Sequence, residues 1–308
     1  MEREIKRAIV TGGTGVIGVA LIEELAEQGV EVLVLHNETS GRLENIPKHP
    51  LVHLQPCSLA HLDGIEPIEG KKYDVFFHLA WGGTFGDRRD DMYLQQQNIT
   101  FSLDAVGAAK RFGCRLFIGL GSQAEYGIAT EKLTAETPVH PTSGYGIAKL
   151  CAGQMTRKYA KQLGLQHIWV RVLSVYGRFD GSQTMIMSTI DKLSHGKTPE
   201  LTAGEQIWDY LNERDAAKAL LLLARKGNSG KTYVLGSGEG KPLRTYIEEM
   251  RDMIAPGAEL DFGAIPYSEN QVMYLCADIG ELQKDTGWKP QVTFGEGVRK
   301  IVEQVTGQ

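Results

Sequence analysis

The sequence predicts an α/β fold in which a doubly wound parallel sheet, covered by helices on both faces, is followed by a smaller C-terminal part. In the first half, short apolar runs alternate with amphipathic patterns, as where RAIV (7–10) precedes VIGVALIEELAEQG (16–29). Buried runs that alternate with helices of this length are typical of βαβ units and therefore of parallel strands. After Gly177 the alternation loosens into separated helices joined by segments containing proline and glycine.

The elements follow in a regular order. The first helix ends at Gly29, because glycine readily adopts the left-handed conformation that closes a helix. The predicted strands are 7–10, 30–36, 73–80, 115–122, 166–177 and 231–238, and the predicted helices are 16–29, 98–113, 144–164, 184–196, 213–226, 244–254 and 296–305.

Composition excludes several classes of protein. The 308 residues carry a net charge of -5, and no run of Lys or Arg indicates a nucleic-acid-binding face. The longest apolar run, ALLLLA (219–224), falls short of the roughly 18 residues that a membrane span needs. The N-terminus is charged and does not resemble a signal peptide, and the four cysteines are widely separated. We therefore expect a cytoplasmic protein with reduced thiols, no membrane association and no metal site.

A glycine-rich loop lies between the first strand and the first helix. The segment AIVTGGTGVIGVAL reads as G-x-G-x-x-G from Gly13 and as G-x-x-G-x-x-G from Gly12. Glycines let the backbone approach a pyrophosphate, and the helix N-terminus supplies free N–H groups and a positive dipole end. In this context the motif predicts dinucleotide binding. The contact residues predicted in the loop are Gly12, Gly15, Val16, Ile17 and Gly18.

The end of the second strand bears on which dinucleotide binds. An acid at this point would bond the adenosine ribose hydroxyls, but His36 and Asn37 stand there, with Glu38 following and Arg42 nearby. Because a carboxylate would repel a 2′-phosphate and an arginine would attract it, NADP(H) is slightly favoured. A solvated Arg42 with no role in binding is the open alternative.

The segment SGYGIAK (143–149) carries a candidate proton-transfer pair. Residues four apart share one face of a helix, so Tyr145 and Lys149 point the same way. A nearby ammonium would lower the high pKa of the phenol, and the pair could then exchange a proton with a substrate oxygen during hydride transfer. Ser122, just past the end of a strand, could bond the same oxygen. The alternative for Y-x-x-x-K alone is a solvated surface helix.

Further motifs follow along nearly the whole chain. They are DVFFHLA (74–80), Asn98, Ser122 with EYG (125–127), RVLSVYG (171–177), WDYLNERDAAKAL (208–220) and TGWKPQVTFGEGV (286–298). With the glycine loop and the Tyr145–Lys149 pair, they resemble the extended short-chain dehydrogenases/reductases of the NAD-dependent epimerase/dehydratase family.

This resemblance implies a Rossmann-like domain with a smaller C-terminal substrate-binding domain, usually in a homodimer that acts on a nucleotide sugar. The expected division is 1–178 with 212–238 for the dinucleotide, and 179–211 with 239–308 for the substrate. It also implies that Ser122, Tyr145 and Lys149 are catalytic, that Lys149 holds the nicotinamide ribose, and that Leu79, Ala80, Asn98 and Val172 line the cofactor site.

Several positions depart from the family pattern. Ser58 replaces an acid before the adenine-facing turn, Ser174 replaces an asparagine, and Trp208 replaces an arginine that in many epimerases grips the substrate diphosphate. A second such arginine is absent near Tyr267. The substitutes open from sequence are Arg88, Arg89 and Arg178.

The positions after Ser122 restrict the chemistry further. Where 4,6-dehydratases carry Asp-Glu, this chain has Gln123 and Ala124, so water elimination by that mechanism is not expected. We predict an NAD(P)-dependent 4-keto reductase of a nucleotide-linked sugar; the alternatives are a 4-epimerase and a reductase of a small carbonyl compound without a nucleotide. A non-catalytic dinucleotide sensor is disfavoured, because such sensors tend to lose the tyrosine–lysine pair and this chain keeps Tyr145 and Lys149. The predicted substrate contacts are Trp81, Gln123, Ser174, Arg178 and Trp208.

Overall fold

The computed structural model describes residues 2–37, 42–268 and 271–306, and within them seven strands form one sheet in which all neighbours run parallel. The strands are β1 (Arg7–Thr11), β2 (Glu31–His36), β3 (Val52–Pro56), β4 (Val75–His78), β5 (Leu116–Ser122), β6 (Gln166–Val172) and, later in the chain, β11 (Thr232–Leu235).

The spatial order of this sheet is β11-β6-β5-β4-β1-β2-β3. The chain therefore proceeds outward from β1 in one direction and outward from β4 in the other. Ligands of open parallel sheets bind at the carboxyl ends of the strands where the order reverses. In this protein that point lies between β1 and β4.

Helices cover both faces of the sheet. On one face α1 packs against α5, and on the other α2 packs against α3. Because successive strand residues point to opposite faces, Val10 belongs to the first core and Ile9 to the second. The helices are α1 (Val16–Glu27), α2 (Met92–Arg111), α3 (Gly144–Gln162), α4 (Met185–Ser194), α5 (Glu213–Lys226), α6 (Leu243–Ile254), α7 (Gly280–Thr286) and α8 (Phe294–Thr306).

The remaining strands of the described residues are short and form three two-stranded pairs. β7 pairs parallel with β10, β9 pairs antiparallel with β12, and β8 pairs parallel with β13. A separate apolar cluster joins α4, α6 and α8. The strands are β7 (Ser174–Tyr176), β8 (Glu200–Leu201), β9 (Ile207–Trp208), β10 (Tyr210–Asn212), β12 (Lys241–Pro242) and β13 (Asp261–Phe262).

Asp209, which lies between β9 and β10, connects these pieces to the large sheet. Its fully buried carboxylate accepts hydrogen bonds from the backbone N–H of Ser237 at 2.7 Å, and of Gly238 and Ala277 at 3.0 Å each. The contacts fix the segment after β11 against the C-terminal part. The predicted division into two domains stays a prediction.

The predicted Rossmann-like fold class is confirmed, with differences in detail. The prediction missed β3, whose side chains are mostly half-buried or exposed, and the seven-residue helix α7. Helix α2 begins at Met92, six residues before the predicted start, because Asp91 caps it by accepting from Leu94 N–H. The predicted strand 166–177 is divided at Leu173 into β6 and β7. No helix in the described ranges has the length and apolar character needed to cross a bilayer.

Candidate active site

The glycine loop packs against the carboxyl end of β4. Gly12 has φ 74°, and a Cβ there would lie 2.6 Å from the backbone nitrogen of Ala80. A Cβ on Gly18 would overlap the carbonyl oxygen of Gly12. Helix α1 starts directly after Gly15, so its N-terminal N–H groups face this edge of the sheet. Such a cradle of bare backbone at a helix N-terminus fits a dinucleotide pyrophosphate, with Leu79 and Ala80 beside it.

The end of β2 presents His36 where an acid was expected. The imidazole Nδ1 of His36 is buried and has no hydrogen-bond partner among the described residues, and Asn37 follows at an exposed position. Arg42 is exposed and lies near Asp180; burial raises the pKa of the Asp180 carboxyl, and Arg42 opposes that effect. Glu38 lies outside the described residues. A nicotinamide dinucleotide fits this edge: the glycine loop would hold its pyrophosphate, and His36 would face its adenosine ribose.

The structure brings Ser122, Tyr145 and Lys149 together at the carboxyl end of β5. Each is buried, at 8%, 9% and 4% exposure. The Lys149 ammonium donates to the carbonyl oxygen of Leu120 at 2.7 Å. Gly146 lets α3 approach, because a Cβ there would overlap the carbonyl oxygen of Ala124. The pair is therefore part of a buried site, and the interpretation as a solvated surface helix does not fit.

Burial dominates the electrostatics of this pair. It raises the pKa of the Tyr145 phenol, while the hydrogen-bonding interaction with the Ser122 side chain and the charge of Arg89 lower it. It also lowers the pKa of Lys149 to about 7. The sequence-based view that Lys149 lowers the Tyr145 pKa therefore needs correction: its ammonium is 5.8 Å from the Tyr145 ring centroid, and the cation that acts on the phenol is Arg89.

Arg89 is the residue that the sequence could not select from three candidates. Its guanidinium lies over the Tyr145 ring, 4.7 Å from the centroid, and donates to the carbonyl oxygen of Thr84 at 3.2 Å. The next residue, Asp90, accepts from Gly144 N–H at 2.6 Å and so fastens this segment to the start of α3. Within the described chain, no carboxylate forms an ion pair with Arg89.

Arg178, by contrast, is occupied by carboxylates. It forms ion pairs with Glu213 at 2.6 Å and with Glu23, and these tie the end of β7 to α5 and α1. A guanidinium held between two carboxylates is not available to grip a substrate diphosphate. These ion pairs argue against the predicted role of Arg178 in substrate binding. The sequence could not show them, because Glu23 lies 155 residues away and Glu213 lies 35 residues away.

Trp81 covers the Tyr145–Lys149 pair. The Lys149 ammonium lies 3.8 Å from the Trp81 ring centroid, and the Tyr145 ring meets the indole edge-on at 6.2 Å. The indole N–H donates to Gln95 Oε1 at 2.9 Å, which fixes the ring plane. Gln123, also predicted to contact substrate, accepts from the Ser122 hydroxyl at 3.3 Å.

Two departures from the family pattern contact each other. The indole N–H of Trp208 donates to the hydroxyl of Ser174 at 2.8 Å.

Asn98 was predicted to line the cofactor site. Its side chain accepts from the backbone N–H of Gly82 at 3.0 Å and donates to the carbonyl oxygen of Gly82 at 2.9 Å. Asn98 thus shapes the segment after β4. Val172 lies at the end of β6 and is 8% exposed.

Glu125 stands in the EYG motif, but the sequence reasoning gave it no role of its own. Its side chain is fully buried and accepts from the backbone N–H of Ser122 at 2.9 Å. The Ser122 hydroxyl in turn accepts from Ala124 N–H at 3.2 Å. A serine followed three residues later by a glutamate is the capping-box pattern, and that signal could have pointed to Glu125.

Comparison with known proteins agrees with this fold. The model of the NAD dependent epimerase/dehydratase family matches residues 8–236. The chain belongs to this family and is an enzyme of the extended short-chain dehydrogenase/reductase type, as its motifs predict.

The relatives cover the chain almost completely at low identity. A putative UDP-glucose 4-epimerase of Methanocaldococcus jannaschii is 27% identical over 96% of both chains. A dTDP-glucose 4,6-dehydratase of Haemophilus influenzae is 24% identical over 96% of both. The solved UDP-N-acetylglucosamine 4-epimerase of Methanobrevibacter ruminantium M1, in complex with UDP-N-acetylmuramic acid, has a TM-score of 0.89 and 24% identity, covering 99% of this chain and 100% of its own.

The glycine cradle yields a direct prediction. Gly18→Ala should weaken NAD(P)H binding by at least about tenfold, since the new methyl group overlaps the Gly12 carbonyl and must displace the loop that approaches the pyrophosphate. Nicotinamide fluorescence titration measures the dissociation constant. Gly64→Ala is the control, because no atom lies within 4 Å of its Cβ position. Equal affinities for wild type and Gly18→Ala would show that the loop does not hold the dinucleotide.

Proposed function

We propose that this enzyme transfers hydride between a nicotinamide dinucleotide and C4 of a nucleotide-linked sugar, with reduction of a 4-keto group as its main reaction. The supporting observation is the meeting of Ser122, Tyr145 and Lys149 at the carboxyl edge of the sheet, next to the glycine cradle. A substrate oxygen that reaches both hydroxyls would be positioned for proton transfer.

Each side chain has a separate role in this proposal. Tyr145 donates its phenolic proton to the carbonyl oxygen, or accepts a proton from the hydroxyl in the reverse direction. Ser122 donates a hydrogen bond to the same oxygen, and Lys149 holds the nicotinamide ribose. The bound nicotinamide supplies or accepts the hydride. Trp81 excludes water from one side of the pair, which strengthens the electrostatic interactions there.

Arg89 is the candidate that holds a negatively charged part of the substrate. Its guanidinium is half-buried beside the reacting phenol, and no carboxylate in the described chain neutralises it. Trp208 stands where many epimerases have the diphosphate arginine and is bonded to Ser174 instead. We therefore assign the anion contact to Arg89 rather than to Arg178.

Reduction is favoured over dehydration by the uncharged side chains beside Ser122. Gln123 is hydrogen-bonded to the serine hydroxyl, and neither Gln123 nor Ala124 can supply the acid and base that elimination requires. The second candidate is a 4-epimerase with bound NAD, in line with the names of two relatives above. The third, a reductase of a small carbonyl compound without a nucleotide, is supported by Trp208 in place of arginine.

Cofactor consumption separates these candidates. A reductase oxidises one NAD(P)H for each product molecule, whereas an epimerase converts its substrate without net change in NAD(P)H absorbance. The assay uses UDP- and dTDP-linked 4-keto sugars, their 4-hydroxy forms and small ketones. Turnover of small ketones alone would contradict the nucleotide-sugar proposal.

The catalytic roles predict the effect of removing one hydroxyl group. Tyr145→Phe should lower kcat by roughly 100- to 10,000-fold, the usual contribution of a general acid–base group, while cofactor affinity stays near wild type. Ser122→Ala should cause a smaller loss, and Lys149→Ala should reduce both kcat and cofactor affinity. Tyr93→Phe, at a residue 82% exposed, is the control. Near wild-type turnover by Tyr145→Phe would rule out the mechanism.

The cofactor preference depends on Arg42 in this proposal, with NADP(H) slightly favoured. Arg42→Ala should weaken NADPH binding about tenfold and leave NADH binding unchanged, because only NADPH carries the 2′-phosphate that a guanidinium can pair with. The measurement is the ratio of the two dissociation constants. Lys48→Ala removes an exposed charge nearby as control. Unchanged NADPH affinity would remove Arg42 from the site.

We further propose a homodimer formed through α2 and α3. The small residues Ala105, Ala108, Ala109 and Ala152 of these helices are buried inside the subunit. A surface groove between the two helices is instead lined by Leu103, Gly107, Met155 and Tyr159, among others.

Light scattering tests the dimer. Wild type should have twice the mass of one chain, and Met155→Asp should be monomeric because the charge would be buried at the contact. Ile128→Asp, at an exposed apolar residue outside these helices, should stay dimeric. A monomeric wild type at micromolar concentration would contradict the proposal.

A further inference from the structure

A buried carboxylate lies directly behind the proposed reaction centre. Glu125 lies in the short helical turn after β5 and is fully buried. Its two carboxylate oxygens accept three hydrogen bonds. Oε1 accepts from Ser122 N–H at 2.9 Å and from the indole N–H of Trp169 at 3.0 Å. Oε2 accepts from Arg171 Nε at 2.7 Å, in an ion pair whose side chains are 1% and 9% exposed.

The surrounding residues are shaped to admit this carboxylate. A Cβ at Gly121 would overlap Glu125 Oε1, and one at Gly153 would lie 2.7 Å from the Trp169 ring. Glycines at these positions let β5, β6 and α3 close around the charged group. A buried carboxylate without hydrogen-bond donors would be strongly unfavourable. The donors from Ser122, Trp169 and Arg171 offset this cost for Glu125.

The contacts of Glu125 lead to the catalytic side chains. Ser122 is held from both sides, by Glu125 at its backbone N–H and by Ala124 N–H at its hydroxyl. The charge of Glu125 also reaches the pair on α3: it raises the pKa of the Tyr145 phenol and opposes the lowering of the Lys149 pKa by burial. One carboxylate thus affects all three proposed catalytic residues.

We propose that Glu125 is a positioning residue: its carboxylate, anchored by Trp169 and Arg171, fixes the end of β5 so that Ser122 and Tyr145 reach the same substrate oxygen. The inference rests on the proposed function for the identity of that oxygen. It does not rest on it for the geometry, which belongs to the protein alone.

A pH test of this proposal must consider every group that faces Tyr145. Ser122 approaches from β5, Arg89 from the segment before α2, Trp81 from the end of β4, and Lys149 from α3 itself. Around Glu125, the charged and titratable neighbours are Arg171, Arg157, Tyr126, Lys149 and Tyr145. The Asp90 carboxylate also lies near, bonded to Gly144 N–H, but Glu125 is the anion that raises the Tyr145 pKa, and neutralising it removes that effect.

The test compares Glu125→Gln with Glu125→Asp in the full chain saturated with NAD+. Glutamine keeps an acceptor for Ser122 but turns an amide toward Arg171 and removes the charge; aspartate keeps the charge but withdraws the oxygens. Near-UV circular dichroism checks that each variant is folded. Asp285→Asn is the control, since Asp285 also binds several donors, Lys231 and Tyr233 among them, but near the start of β11.

Two readouts separate positioning from stability. The first is kcat for the oxidation of a 4-hydroxy nucleotide sugar by NAD+, which should fall by on the order of ten- to 100-fold in both variants with little change in KM. The second is the ultraviolet titration of the Tyr145 phenolate, obtained by subtracting Tyr145→Phe, which needs no substrate. It should shift to lower pH in Glu125→Gln and stay close to wild type in Glu125→Asp and Asp285→Asn.

The outcomes distinguish this inference from the proposed function. If folded Glu125→Gln shows the wild-type titration and wild-type kcat, Glu125 is not a positioning residue. If the loss of kcat merely equals a loss of folded protein, the role is structural and the inference is wrong. If wild type turns over no nucleotide sugar, the proposed function fails, and the phenolate titration alone then supports or overturns the role of Glu125.

Discussion

The hydrogen bond from the Lys149 ammonium to the carbonyl oxygen of Leu120 ties helix α3 to strand β5. One turn earlier on the same helix, Tyr145 is brought beside Ser122, two residues further along the strand. The bond is possible only because Gly146 lets the helix approach the turn after β5. Burial of the ammonium is unfavourable, and its pKa of about 7 reflects that; the carbonyl and the ring of Trp81 offset part of the loss.

The parallel sheet explains why groups distant in sequence meet at this edge. The strands β1, β4 and β5 are neighbours and all end on the same side. The glycine loop, the segment at Trp81 and Ser122 therefore line one crevice, with α3 closing it. The same arrangement puts Arg89 over Tyr145, because Asp90 fastens its segment to the first residue of α3.

Sequence reasoning succeeded where the signal is local. The glycine spacing, the i, i+4 relation of Tyr145 and Lys149 and the buried strand runs each lie within one element, and together with the motif order they determine the fold class. It failed where a role depends on distant partners. Arg178 is bound by Glu23, 155 residues away, and Glu125 by Arg171, 46 residues away, and no local pattern contains those pairings. Strand β3 was missed because its half-exposed residues lack a continuous apolar run.

The paired departures Trp208 and Ser174 show a site that differs from the family pattern in a coordinated way, because each supplies the hydrogen-bond partner of the other.

The central claim is that hydride moves between nicotinamide and C4 of the sugar beside Tyr145. A single-turnover experiment with a 4-hydroxy nucleotide sugar deuterated at C4, followed by mass spectrometry of the cofactor, tests it directly. The account predicts deuterium on the reduced nicotinamide in wild type and none in Tyr145→Phe. Formation of the 4-keto product with the C4 deuterium released to water, and none on the cofactor, would contradict it.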